Sequence, residues 1–119
     1  MTNNVIQRVE KPWGYEDRWA ITEKYLGKVL FIKRGHRLSL QYHEQKDETV
    51  YVQRGHLHLW IGDEQEQKIV NLKEGESYRI LPGVVHRFEA PHDQDAVLLE
   101  VSTPEINDVV RLKDDYDRS

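Results

Sequence analysis

Four residues of the 119-residue chain have the types and the spacing to hold a metal ion: Gln41, His43, Glu48 and His86. Gln41 and His43 are two apart in a segment that reads as a strand, so their side chains leave the same face. Glu48 opens the next such segment, and the polar residues 44–47 between them suit a loop. His86, shortly after Gly83, lies on a later segment that must fold back to reach the other three. Glutamine, histidine, glutamate and histidine form a hard-to-borderline nitrogen and oxygen set, which suits zinc, manganese, iron or nickel without choosing among them. A histidine alone on a half-apolar strand is ordinarily a structural residue, and it is the joint spacing that carries the signal. The chain has no cysteine, so thiolate ligands and disulfides are excluded.

Positioning four such residues from distant parts of the chain requires a fold that closes on itself. Short apolar segments recur between turn signals, an all-β pattern, with strands expected at 15–20, 25–33, 37–43, 48–53, 56–61, 67–71, 77–81, 84–90 and 96–102. So many short strands in so short a chain imply a barrel or a sandwich. Residues 1–14 read as an arm ending in a turn at Lys11, Pro12, Trp13 and Gly14, and 104–119 as a C-terminal extension of a single domain. At 38% hydrophobic and 32% charged residues the composition is that of a globular domain. The net charge of −4, without a basic block, argues against a nucleic-acid surface. No apolar run approaches the roughly 20 residues of a membrane helix. The N-terminus lacks the pattern of a secretory signal, so no membrane partner and a cytoplasmic location are expected.

The segment GHRLSLQYHEQKDETVYVQRG resembles the first motif of the cupin superfamily, with Gly35, His43, Glu48 and Gly55 on its pattern and Gln41 in place of its first histidine. Gly75, Gly83 and His86 match the second motif, with its proline displaced to Pro82 and its last position taken by Ala90. The resemblance implies a double-stranded β-helix, a jelly-roll barrel. Glutamine at position 41 is similar to one branch, the type II phosphomannose isomerases, whose cupin domain forms the C-terminal part of bifunctional mannose-1-phosphate guanylyltransferase/mannose-6-phosphate isomerases and also occurs alone. The likeness runs nearly end to end. It includes Lys11 to Glu16, Lys33, Arg37 to Gln41, Val85 to Arg87, Glu100, Val101, Asp108 to Arg111, Asp115 and Tyr116, and departs at Val29, Arg34 and Asp117.

That resemblance implies Gln41, His43, Glu48 and His86 as ligands of one divalent ion, zinc first among the alternatives, and the interconversion of mannose 6-phosphate and fructose 6-phosphate. No glycine-rich nucleotide-binding domain accompanies the motifs, so guanylyl transfer is not expected of these residues. Aldose–ketose isomerisation needs a Lewis acid, a proton carrier and a cationic seat for the phosphate. Arg37 shares odd parity with Ser39, Gln41 and His43, which points it to the metal face, and its planar fork suits phosphate. Lys33, Arg87 and Arg111 are the other candidates for substrate binding, and Lys28 and Glu100 join Arg37 as candidates for the chemical step. Glu100, inside the apolar run VLLEVS, either faces the cavity or pairs with a cation such as Arg87. His56 and His58 alternate with leucines and are expected on the exterior; His36 and His92 flank turns. Two other classes compete: a non-catalytic metal- and sugar-binding cupin, and a small iron-dependent dioxygenase. A homodimer is expected, with residues 2–10 as a contributor and Trp13 and Trp60 either at its face or in the core.

Overall fold

The computed structural model describes residues 5–116; residues 1–4 of the arm and Asp117 lie outside the described residues. The strands are β1 (Gln7–Lys11), β2 (Gly14–Ile21), β3 (Leu26–Ile32), β4 (Leu40–Tyr42), β5 (Glu48–Arg54), β6 (His56–Gly62), β7 (Gln67–Lys73), β8 (Ser77–Ile80), β9 (His86–Glu89), β10 (Ala96–Ser102) and β11 (Val110–Lys113). They pair into two antiparallel sheets, ordered β1-β2-β3-β10-β5-β8 and β11-β4-β9-β6-β7. Among the described residues no helix is long and apolar enough to cross a membrane.

Two strands escape the sequence pattern. β1 lies within the expected arm and pairs along its length with β2, while β11 lies within the C-terminal extension and pairs with β4. Their sequences, QRVEK and VRLK, are edge strands with one side in solvent, and such strands carry little apolar alternation to read. The β1–β2 hairpin turns through Pro12 and Trp13, with Lys11 opposite Gly14. Trp13 is 2% exposed and belongs to the core rather than to an outer face, whereas Trp60 is half-buried and donates its indole N–H to Glu89. Gly14 has φ +152°, and a Cβ there would sit 1.9 Å from the carbonyl oxygen of Phe31. Only glycine lets β2 leave the turn this close to β3.

Several strands change character partway along their inward faces. On β3 the inward row runs from Ile32 and Leu30 to Lys28, on β5 from Val52 and Val50 to Glu48, on β9 from Phe88 to His86 and on β10 from Leu98 to Glu100. The apolar ends, together with Leu57, Leu59 and Ile80, form the core. The polar ends meet in the other half of the barrel. The loop from β4 to β5 is held from outside by the C-terminal segment, where the Asp108 carboxylate accepts the backbone N–H groups of Glu44, Gln45 and Lys46 at 3.0, 2.7 and 2.9 Å. Burial works against ionising Asp108, but these three donors outweigh it and hold its pKa below the usual carboxylate range.

Unfolding measurements check both the hairpin glycine and the Asp108 cap. Gly14→Ala combines a disallowed backbone with a collision and is expected to cost about 2 kcal/mol or more in urea unfolding. Gly75→Ala, which shares a positive φ but meets no atom within 4 Å, is expected to cost about 1 kcal/mol. Asp108→Asn is expected to lose about 1–2 kcal/mol at neutral pH. Because the folded pKa is the lower one, wild type holds its advantage above the unfolded pKa of about 3.9 and loses it as the pH falls through the folded value, so unfolding curves of the two proteins should converge in acid.

Candidate functional site

His43, Glu48 and His86 converge with one ligating atom each, all within 4.8 Å of one another, and all three side chains are buried. His43 follows β4, Glu48 opens β5 and His86 opens β9, and Gln41 stands directly across from His86 in the β4–β9 ladder. The imidazole tautomers are set by backbone. Nδ1 of His43 donates to the carbonyl of Asp108, and Nδ1 of His86 donates to that of Val84 at 2.9 Å. In the neutral rings both Nε2 atoms are therefore lone pairs, and they point at Glu48 Oε1 from 2.9 and 3.2 Å. His86 Nε2 is buried without a hydrogen-bond partner. Three Lewis bases facing one another with no proton between them suit a cation, so the residues fit a divalent ion, to which the Gln41 amide oxygen adds a neutral donor. That oxygen already accepts the Ser39 hydroxyl at 2.8 Å, which orients the amide. The donor set leaves the identity of the metal open.

Behind the triad runs a chain of buried charges that alternate in sign. Arg18 Nε lies 2.7 Å from Glu16, Lys28 Nζ 3.3 Å from Glu16 and 4.0 Å from Glu100, and Lys46 Nζ 3.9 Å from Glu100 and 3.7 Å from Glu48. Burial opposes the charge on Glu48, yet hydrogen bonds received from the two imidazoles, whenever a proton rather than a cation lies between them, and the charge of Lys46 hold its carboxyl well below the usual range. Burial likewise opposes the charge on Lys46, but Glu100 and Glu48 raise its pKa. Glu100 goes the other way: complete burial, and then the charge of Glu48, push it up to about 8. A carboxyl in that range can both take and give a proton near neutral pH.

These groups border a cavity of about 260 Å³, whose wall includes Gln41, His43, Glu48, Glu100, Lys46 and Arg111. Glu100 thus faces the cavity, and its cations are Lys28 and Lys46 rather than Arg87. Arg111 pairs across from Gln41, which places it in the same cross-strand row as His86, and its Nε is buried without a hydrogen-bond partner. Lys28 does not reach the cavity wall and acts on it through Glu16 and Glu100.

Three of the expected substrate contacts lie elsewhere. Arg37 is outside the cavity, with its guanidinium bound to Asp115 at 2.6 and 3.2 Å. The parity argument fails because regular strand begins only at Leu40; Leu38 and Gln41, three apart, both line the cavity, so the alternation slips between them. Arg87 neighbours His86 on β9 and therefore takes the opposite face, where it donates to the Leu38 carbonyl at 3.0 Å and reaches Asp115 at 3.5 Å. Lys33 lies just past β3 and is exposed. His56 is exposed and His58 half-buried beside Glu89, both on the outer face as their alternation requires. Lys46 is the functional candidate that the sequence conceals, because it sits in a polar run that reads as a solvated loop, HEQKDE, yet is 5% exposed.

Comparison with known proteins agrees with this architecture. The chain is 32% identical over 116 residues to the xanthan biosynthesis protein XanB of Xanthomonas campestris pv. campestris strain B100, a match over 95% of this chain and 24% of that protein. It is 35% identical over 119 residues to the mannose-1-phosphate guanylyltransferase ManC of Salmonella typhimurium, covering 98% and 24%. The chain therefore spans about a quarter of the length of these curated relatives. Among solved structures, KdgF from Halomonas sp. superposes with a TM-score of 0.71 at 20% identity over 87% of this chain and 89% of that one. Oxalate decarboxylase from Bacillus subtilis gives a TM-score of 0.77 at 20% identity over 94% and 33%. Likeness at that level speaks for the fold, and the cupin domain family itself matches residues 29–102, the stretch from β3 to the end of β10 that carries Gln41, His43, Glu48 and His86. By its barrel, its motifs and this match, the chain belongs to the cupin domain family.

Proposed function

We propose that the chain is a metal-dependent sugar-phosphate isomerase that interconverts mannose 6-phosphate and fructose 6-phosphate. The observation that carries this reading is one cavity that sets the His43–Glu48–His86 triad beside the raised carboxyl of Glu100 and the unpartnered guanidinium nitrogen of Arg111. The relatives named for mannose-1-phosphate guanylyl transfer and xanthan biosynthesis support a sugar-phosphate context. A divalent ion held by Gln41, His43, Glu48 and His86 would supply Lewis acidity toward the sugar's carbonyl oxygen. Glu100 removes the proton from C2 of the aldose and returns it to C1, while the hydroxyl proton passes from O2 to O1. Lys28 and Lys46 stabilise the ionised form of Glu100 from either side, against the burial and the Glu48 charge that favour its protonated form. Arg111 seats the phosphate, in place of Arg37. The wall combines aliphatic residues, Leu30, Leu38, Ile106 and Val109, with the cations Lys11, Arg18, Lys46 and Arg111 set against Glu16, Glu48 and Glu100, and this charged part suits an anionic ligand.

The test is a proton NMR time course of fructose 6-phosphate in deuterated water, with zinc-reconstituted protein of confirmed metal content. Mannose 6-phosphate carrying deuterium at C2 is the expected product, and no turnover by the zinc-filled protein overturns the reading. Glu100→Gln should lower the rate by roughly 10²-fold or more while retaining zinc. Arg111→Leu removes a charge-assisted contact worth about 1.5–3 kcal/mol, so KM should rise roughly 10- to 100-fold with a smaller change in kcat, as initial rates across a substrate series would show.

A further inference from the structure

Four arginines of the chain are held in two different ways. On the surface, Arg8 and Arg79 each fork both oxygens of an aspartate, Asp17 and Asp47. Arg18 and Arg111 line the cavity and have no such partner to themselves. Arg18 Nε donates to Glu16 Oε2 at 2.7 Å, but Lys28 Nζ reaches the same oxygen at 3.3 Å, and Arg18 Nη1 donates to the neutral Gln7 amide at 3.3 Å. One carboxylate thus serves two cations. Arg111 Nε is buried without a hydrogen-bond partner. Both guanidinium groups therefore retain attraction for an anion that enters the cavity.

The pairing registers set the two arginines in corresponding places on the two sheets. In the six-stranded sheet Arg18 stands opposite Lys28, and Lys28 opposite Glu100. In the five-stranded sheet Arg111 stands opposite Gln41, and Gln41 opposite His86. Each arginine is thus two strands along its row, about 9–10 Å of backbone, from the proton carrier or from a metal ligand.

We propose that Arg18 and Arg111 clamp the substrate's phosphate from the two sheets, and that the clamp selects six-carbon 6-phosphates over three-carbon phosphates by length. The proposal rests on the isomerase reading, which puts C1 and C2 at the metal centre and Glu100. From C2 to phosphorus a hexose 6-phosphate has six bonds, about 7 Å when extended, whereas a triose phosphate has three, about 3.5 Å. With C2 beside Glu100, the longer chain carries its phosphate out toward the arginines and the shorter one leaves it near the centre. At the arginines a phosphate monoester meets planar forks from both walls and supplies the countercharge that Glu16, shared with Lys28, does not.

Isothermal titration calorimetry of the zinc-loaded protein tests the clamp with two ligands that lack a carbonyl and cannot turn over, glucitol 6-phosphate and glycerol 3-phosphate. Wild type is expected to bind the hexitol phosphate at least about 10-fold more tightly, since it gains charge-assisted contacts that the shorter ligand does not reach. Arg18→Gln should weaken the hexitol phosphate about 10- to 100-fold and glycerol 3-phosphate by less than about 3-fold, which removes the preference. Arg54→Gln, exposed at the far end of β5, should bind both as wild type does. Near-ultraviolet circular dichroism and zinc content establish that each variant is folded. Arg18→Lys keeps a cation beside Glu16 and serves where Arg18→Gln does not fold; without the planar fork it should weaken the hexitol phosphate by about 5-fold or more. Equal wild-type affinity for the two ligands, or binding of neither, overturns the proposal. So does a folded Arg18 variant with wild-type affinity for glucitol 6-phosphate. Tight, Arg18-dependent binding of the hexitol phosphate by a protein that does not turn over fructose 6-phosphate upholds the clamp and overturns the isomerase reading alone.

Discussion

Three glutamates, Glu16, Glu48 and Glu100, are buried at 6, 2 and 5% exposure inside a barrel of this size, and the arrangement of its polar half depends on them. An unpaired buried carboxylate costs several kcal/mol, so each needs a cation or a proton. β2, β3 and the β4–β5 loop deliver Arg18, Lys28 and Lys46 between them in alternation, and the row of charges ends at a carboxylate oxygen facing two imidazole nitrogens. A cation at that end and a proton on Glu100 are two answers to the same electrostatic demand. The chain of charges is thus a support for the site and a part of it. The removal of any one member would leave its neighbours buried and uncompensated.

The apolar half answers the complementary demand. Because the inward rows of β3, β5, β9 and β10 change from apolar to ionisable within one step along each strand, the boundary between core and cavity is sharp. Phe88 marks it: it lines the cavity, belongs to the core and touches the His86 ring at 5.6 Å between centroids. A packed wall there fixes the imidazole from behind while the Val84 carbonyl fixes it from the side.

The centre of the fold is legible in the sequence and its edges are obscure. Nine segments with apolar periodicity correspond to β2 through β10, since half-buried strands must alternate, whereas QRVEK and VRLK lack that constraint and carry no such signal. The spacing of Gln41, His43, Glu48 and His86 is visible because metal-ligand spacing survives as a local pattern. Arg37 misleads because parity holds only within a regular strand, and the backbone between Leu38 and Gln41 is not one. Lys46 is hidden for a related reason: local composition marks a solvated loop, while its burial depends on Asp108, sixty-two positions later, pulling that loop inward. Glu100 stands out as a carboxylate in an apolar strand, but its cations cannot be named from sequence because they come from β3 and the β4–β5 loop.

The fastening of the site by the C-terminal segment also has a consequence in time. Asp108 caps the loop beside His43, Arg111 enters the cavity, Asp115 bridges Arg37 and Arg87, and the Tyr116 ring stacks on His36. On a ribosome these residues emerge after every strand from β1 to β10. A nascent chain can therefore assemble most of its core while the site still lacks its arginine and the brace on its loop, and competence to bind arrives only with the final long-range contacts.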